Sequence, residues 1–98
     1  MLEKDFQAGL RKRIEQSVLP GSLTQKNDPN DIQGFPDLTV HYKGKIAILE
    51  VKKNKKAPYR PNQELYLERF AKDGIFTATI YPENEEEVLN ELQRSLQS

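Results

Sequence analysis

The run Asp37-Leu-Thr-Val-His-Tyr42, Lys43-Gly44, Lys45-Ile-Ala-Ile-Leu-Glu-Val-Lys52 decides the fold. Val40, Tyr42, Ile46, Ile48 and Val51 suit a pleated surface, and Lys43-Gly44 accepts the positive φ angles of a two-residue turn, so the run predicts a tight antiparallel hairpin. Strand side chains alternate. Leu38, Val40, Ala47, Leu49 and Val51 form the core face, whereas Asp37, Thr39, His41, Ile46, Ile48, Glu50 and Lys52 share the other. A turn closed between Tyr42 and Lys45 sets Asp37 opposite Glu50, with Cβ atoms about 4.5–5.5 Å apart. Two carboxylates so close repel unless a cation lies between them. An all-oxygen set with open positions suits Mg²⁺, with Mn²⁺ as a substitute, and Lys52 lies two residues along the same face. The expected chemistry is metal-assisted attack of water on a phosphodiester, with Lys52 holding the water or neutralising charge on the phosphate.

A Glu-x-Lys triplet alone carries little information, since fifteen acidic residues and ten lysines in 98 positions give roughly one and a half chance matches. Its weight comes from context: it ends an apolar strand, and a Pro-Asp pair opens the strand before it. The competing reading is a surface salt-bridge pair.

Gly34-Phe-Pro36-Asp37, Glu50-Val-Lys52 and Gln63 together resemble the VRR-NUC branch of the PD-(D/E)xK nuclease superfamily, and the opening Glu3-Lys-Asp-Phe-Gln7 resembles its first helix. The resemblance implies that Asp37 and Glu50 are the main metal ligands, joined by Glu3 and the Val51 carbonyl. It makes Lys52 the catalytic lysine and Gln63 a supporting site residue. Asp5 competes with Glu3 as the helix-borne acid. The resemblance further implies 5′-phosphate products and a dimeric Holliday-junction resolvase of phage or bacterial type.

The composition allows one compact domain over residues 1–98, with 36% hydrophobic and 31% charged residues. The absence of cysteine excludes disulfides and thiolate zinc sites, and a single histidine excludes a His-rich centre. With no apolar stretch near about 18 residues and no signal-like segment, the expectation is a cytoplasmic protein, in a bacterium or a phage-infected cell, with no membrane contact. The formal net charge is zero, yet it is polarised: residues 43–60 carry +6 and residues 83–98 carry −4. Lys53, Lys55, Lys56 and Arg60 follow Lys52 directly and are the candidate DNA-phosphate contacts, a solvated lysine loop being the plain alternative.

Along the chain, Leu2, Phe6, Leu10, Ile14 and Val18 predict a helix over 2–18 with an inward stripe. Residues 19–35 read as a loop with a short strand near Ile32, serving as a connector or as a DNA or subunit contact. A helix over 61–73 starts near Pro61, stops at Gly74 and packs Leu65, Tyr66 and Phe70 inward. Ile75–Tyr81 predicts a strand. Asn84-Glu-Glu-Glu87 resembles a capping box opening a last helix with Leu89, Leu92 and Leu96 buried. The order predicts an α/β sandwich with a mixed sheet flanked by helices. His41 reads as structural rather than as a general base. Three functional readings stand: a Mg²⁺-dependent endodeoxyribonuclease acting on branched DNA, a flap or restriction-type nuclease, and a noncatalytic nucleic-acid-binding or assembly module.

Overall fold

The computed structural model describes residues 2–98. Helix α1 spans Glu3–Arg13 and runs on as a wide π-helical turn, Ile14–Val18. Strand β1 is Leu23–Lys26, β2 is Leu38–Tyr42 and β3 is Lys45–Val51. Helix α2 is Gln63–Lys72, β4 is Phe76–Ile80, and a 3₁₀ turn at Pro82–Asn84 leads into α3, Glu85–Gln97. The strands lie in the order β1-β2-β3-β4, antiparallel through β3, with β4 parallel to β3 after the α2 crossover. This is the expected α/β architecture with a mixed sheet.

The hairpin has the expected register. Tyr42 pairs with Lys45 and Leu38 with Leu49, which brings Asp37 level with Glu50 one step further on. Lys43 (φ 49°) and Gly44 (φ 80°) both lie in the left-handed region that such a turn demands. Leu38, Val40, Ala47, Leu49 and Val51 are all fully buried, so the alternation assigned the core face correctly. That face packs on Phe6, Leu10, Ile14, Val18 and Leu19 from the first helical segment and on Val88, Leu89, Leu92 and Leu96 of α3. Helix α2 covers part of the opposite face and carries Gln63 down onto it.

Several expectations need correction. Leu2 is not part of the inward stripe: it is 61% exposed and precedes the helix, at its N-cap position. The 19–35 segment contains a strand at residues 23–26, while Ile32 sits exposed in a turn. Leu23-Thr-Gln-Lys26 is polar and short, and only Thr24 is buried, so alternation could not reveal it. Its free edge is satisfied by α1 and the π turn: Glu15 Oε2 accepts the Thr24 backbone N–H at 2.8 Å and its hydroxyl at 2.7 Å, and Arg11 donates to the Thr24 carbonyl at 3.0 Å. Two side chains thereby do what a neighbouring strand would do and block the edge.

Helix α2 begins at Gln63, later than Pro61, and Leu65 points outward at 65% exposure. Tyr66 and Phe70 pack instead on Phe35, with ring centroids 5.5 and 5.7 Å away. Asn84 does not cap α3. Its side chain turns back, accepting the Tyr81 N–H at 2.9 Å and donating to the Thr79 carbonyl at 3.0 Å, so it fastens the end of β4.

Candidate active site

The site is built where β2 starts, β3 ends and α2 begins. Strand pairing brings Asp37 beside Glu50, and the two are joined twice through the backbone. The Asp37 N–H donates to Glu50 Oε1 at 3.2 Å, and the Val51 N–H donates to Asp37 Oδ2 at 2.9 Å. Each carboxylate is thus oriented by the other's strand. Glu50 is only 1% exposed and Lys52 5%, unusual for charged side chains on the face opposite the main core.

Gln63 holds the centre together. Wholly buried, it donates from Nε2 to Glu50 Oε2 at 2.5 Å, while its Oε1 accepts Lys52 Nζ at 3.0 Å and the Arg60 backbone N–H at 2.7 Å. A surface glutamine would make none of these bonds. Lys52 Nζ also donates to the Pro58 carbonyl at 2.6 Å, lies 3.8 Å from Glu50 Oε2 and sits 4.7 Å from the centre of the Tyr59 ring. The ammonium is therefore aimed and its four-carbon stem immobilised. Tyr59 is steadied in turn by a hydroxyl contact of 2.6 Å with Thr79.

Tyr59 and the Pro58 carbonyl went unnoticed in the sequence. Their signal was available: an aromatic residue between two prolines, directly after the basic run, is stiff enough to shape a site. Asn27 was missed too. It donates to the Pro36 carbonyl at 2.9 Å and to Thr39 at 3.2 Å, securing the turn before Asp37.

The electrostatics are those of an incomplete charge set. Burial, and then the neighbouring Asp37 carboxylate, push the Glu50 carboxyl from its ordinary 4.5 up to about 8, against the opposing pull of Lys52 and Arg60. Two carboxylates held side by side by backbone bonds, one of them disfavoured as an anion, suit a divalent cation that lets both ionise. Mg²⁺ fits this donor set, because it is commonly held by one or two carboxylates, with waters and phosphate oxygens filling the sphere.

Glu3 is exposed and, with Asp37, Gln7 and Arg60, lines a cavity of about 170 Å³. Asp5 is exposed and lies outside that lining. Among the described residues no group of three His, Cys, Asp or Glu side chains is gathered as a metal cage, so Glu3 stands on the wall beside the carboxylate pair. Lys53, Lys55 and Lys56 are exposed in the loop after β3, and Arg60 reaches Asp37 Oδ1 at 3.4 Å. His41 contacts Gln25 at 3.0 Å, near the hairpin turn.

Neither a protein-family model nor a curated protein matches the sequence. Solved structures do match. One described as a VRR_NUC domain superposes with a TM-score of 0.73 at 29% identity, over 93% of this chain and 94% of that one. A second, described as a VRR_NUC domain protein, gives 0.73 at 16% identity over 99% of this chain and 89% of the other, a likeness of fold. The mixed sheet flanked by helices is the nuclease-like fold of these neighbours, and the likeness points to a nuclease-family domain. Within that class the chain is similar to VRR_NUC domains, the family that the Gly34–Asp37, Glu50–Lys52 and Gln63 pattern resembles.

Proposed function

We propose that the protein is a divalent-metal-dependent DNA endonuclease that selects branched DNA, a four-way junction above all. The observation that carries the reading is the buried Glu50–Gln63–Lys52 chain set against Asp37. Packing alone does not require it, because a buried lysine and a buried glutamate cost more than apolar residues of the same size. A polar network kept at that expense is best explained by chemistry.

In this reading Asp37 and Glu50 hold Mg²⁺ or Mn²⁺, with Glu3 and the Val51 carbonyl as further oxygen donors. When bound, the metal supplies a polarised phosphate and an ionisable water. Lys52, fixed by Pro58 and Gln63, presents its ammonium where negative charge gathers on the phosphate. Gln63 keeps Glu50 and Lys52 in register by bonding to both. The exposed Lys53, Lys55 and Lys56 bind the backbone on either side of the scissile bond without reading bases. The chain displays no further recognition element among its described residues, which favours DNA shape over sequence as the specificity signal. A homodimer would set two such sites on one symmetric junction. No described helix is long and apolar enough to cross a membrane, and the proposed place of action is the cytoplasm.

The test is incubation of labelled four-way junction, flap, linear duplex and single-stranded DNA with Mg²⁺, Mn²⁺ or EDTA. Paired symmetric nicks in the junction, dependent on metal, are expected. Metal-dependent cutting of the other substrates in preference would retain the nuclease and remove the junction selectivity. Tight binding without cutting in any metal would replace the enzyme with a binding module.

A further inference from the structure

The two oxygens of Asp37 have different partners. Oδ2 accepts the Val51 N–H at 2.9 Å, a bond tied into the sheet, whereas Oδ1 faces the Arg60 guanidinium at 3.4 Å. Oδ1 is therefore the oxygen that a cation can claim, and Arg60 is the group already beside it. Two positive charges are ion-paired with the carboxylates, Lys52 with Glu50 and Arg60 with Asp37, and of these only Arg60 has room to leave. Lys52 is 6% exposed at its side chain and doubly bonded to Pro58 and Gln63. Arg60 is anchored at its backbone, where Gln63 Oε1 accepts its N–H at 2.7 Å, but its side chain is 57% exposed. The anchor fixes where the arm starts, and the arm beyond it is solvent-exposed. Its base lies beside the loop that carries Lys53, Lys55 and Lys56.

We propose that Arg60 is a counter-ion gate: its guanidinium and a divalent cation compete for Asp37 Oδ1, and the side chain released by the metal engages a DNA phosphate. This rests on the nuclease reading above. A like charge beside a dication is repulsive, so loading the metal favours the outward arm, and a phosphate that holds the arm outward favours loading. By linkage the coupling is reciprocal: metal tightens DNA and DNA tightens metal through the same side chain.

The experiment titrates Mn²⁺ calorimetrically into the full chain without DNA, comparing wild type, Arg60→Gln and Lys56→Gln. The last removes an equal charge from the same loop away from Asp37. An exposed ion pair is modest and screened, so Arg60→Gln is expected to bind Mn²⁺ about three- to fivefold tighter, Lys56→Gln to change by less than about 1.5-fold, and the gain to shrink in high salt. In a second arm, fluorescence anisotropy of a labelled four-way junction is read with Ca²⁺ and with EDTA. Wild type is expected to gain more DNA affinity from the cation than Arg60→Gln does. Equal Mn²⁺ affinities in Arg60→Gln and Lys56→Gln, or weaker binding in Arg60→Gln, overturn the gate while leaving the nuclease reading intact. A wild type that binds no Mn²⁺ overturns both.

Discussion

Glu50 places the strongest constraint on the chain at the scale of single residues. Its folded carboxyl holds a proton up to about 8 while an unfolded one releases it near 4.5, so in EDTA the native state binds more protons than the unfolded state between those values. Stability is then present in full below about 4.5, falls as pH rises toward 8 and levels off above it, with a slope of up to about 1.4 kcal/mol per pH unit. Urea denaturation in EDTA from pH 5 to 9 should show that fall in the wild type and lose most of it in Glu50→Gln, which becomes the more stable protein at pH 9. An unchanged slope would show that Glu50 is not strained. Gln63→Ala leaves the buried Glu50 and Lys52 without their shared partner, a loss of about 1–3 kcal/mol on thermal unfolding. The juxtaposition of Asp37, Glu50 and Lys52 was legible from strand alternation combined with the register of the Lys43-Gly44 turn. Gln63 was named only through the family resemblance, because a polar residue in the first turn of a helix looks like surface until the partners beneath it are known.

Among the elements, the approach of the loop before β2 to the start of α2 decides whether Asp37 is held in place. Gly34 has φ +82°, and a Cβ there would lie 2.3 Å from the Pro61 carbonyl oxygen and 2.7 Å from Asn62 Cβ. Gly34→Ala should lower the melting temperature and cut DNA cleavage more steeply than the stability loss explains, since both Asp37 and the Arg60–Gln63 segment must shift. Wild-type values for both would show that the loop yields. The hairpin was readable because its register is local arithmetic around Lys43-Gly44, and α3 because Leu89, Leu92 and Leu96 recur at helical spacing. Strand β1 was not, because its edge is completed by Glu15 and Arg11 from another element, a tertiary bond set with no local signature. Asn84 shows the same limit: it has the composition of a cap but finds better partners in Thr79 and Tyr81.

Across the whole molecule, zero formal charge conceals a basic β3–α2 loop beside the site and an acidic run entering α3, which meet where Glu83 accepts the Lys55 backbone N–H at 3.3 Å. The charge runs were legible directly, but the contact between the two segments was not, because it depends on where the β3–α2 loop and the turn before α3 come together. DNA affinity should fall linearly with the logarithm of salt concentration, and a Lys53, Lys55 and Lys56 triple change to Gln should flatten that slope by about 2–3. A slope unaltered by the triple change would move the DNA elsewhere. The central claim is that the paired carboxylates and Lys52 form a metal-dependent hydrolytic centre, and its most direct measurement is single-turnover cleavage of a labelled four-way junction by wild type and Lys52→Ala, in Mg²⁺ and in EDTA. The account predicts cutting by wild type only with metal, and a rate lower by at least about a hundredfold in a folded, DNA-binding Lys52→Ala protein. Equal rates in the two proteins, or cutting that persists in EDTA, would contradict it.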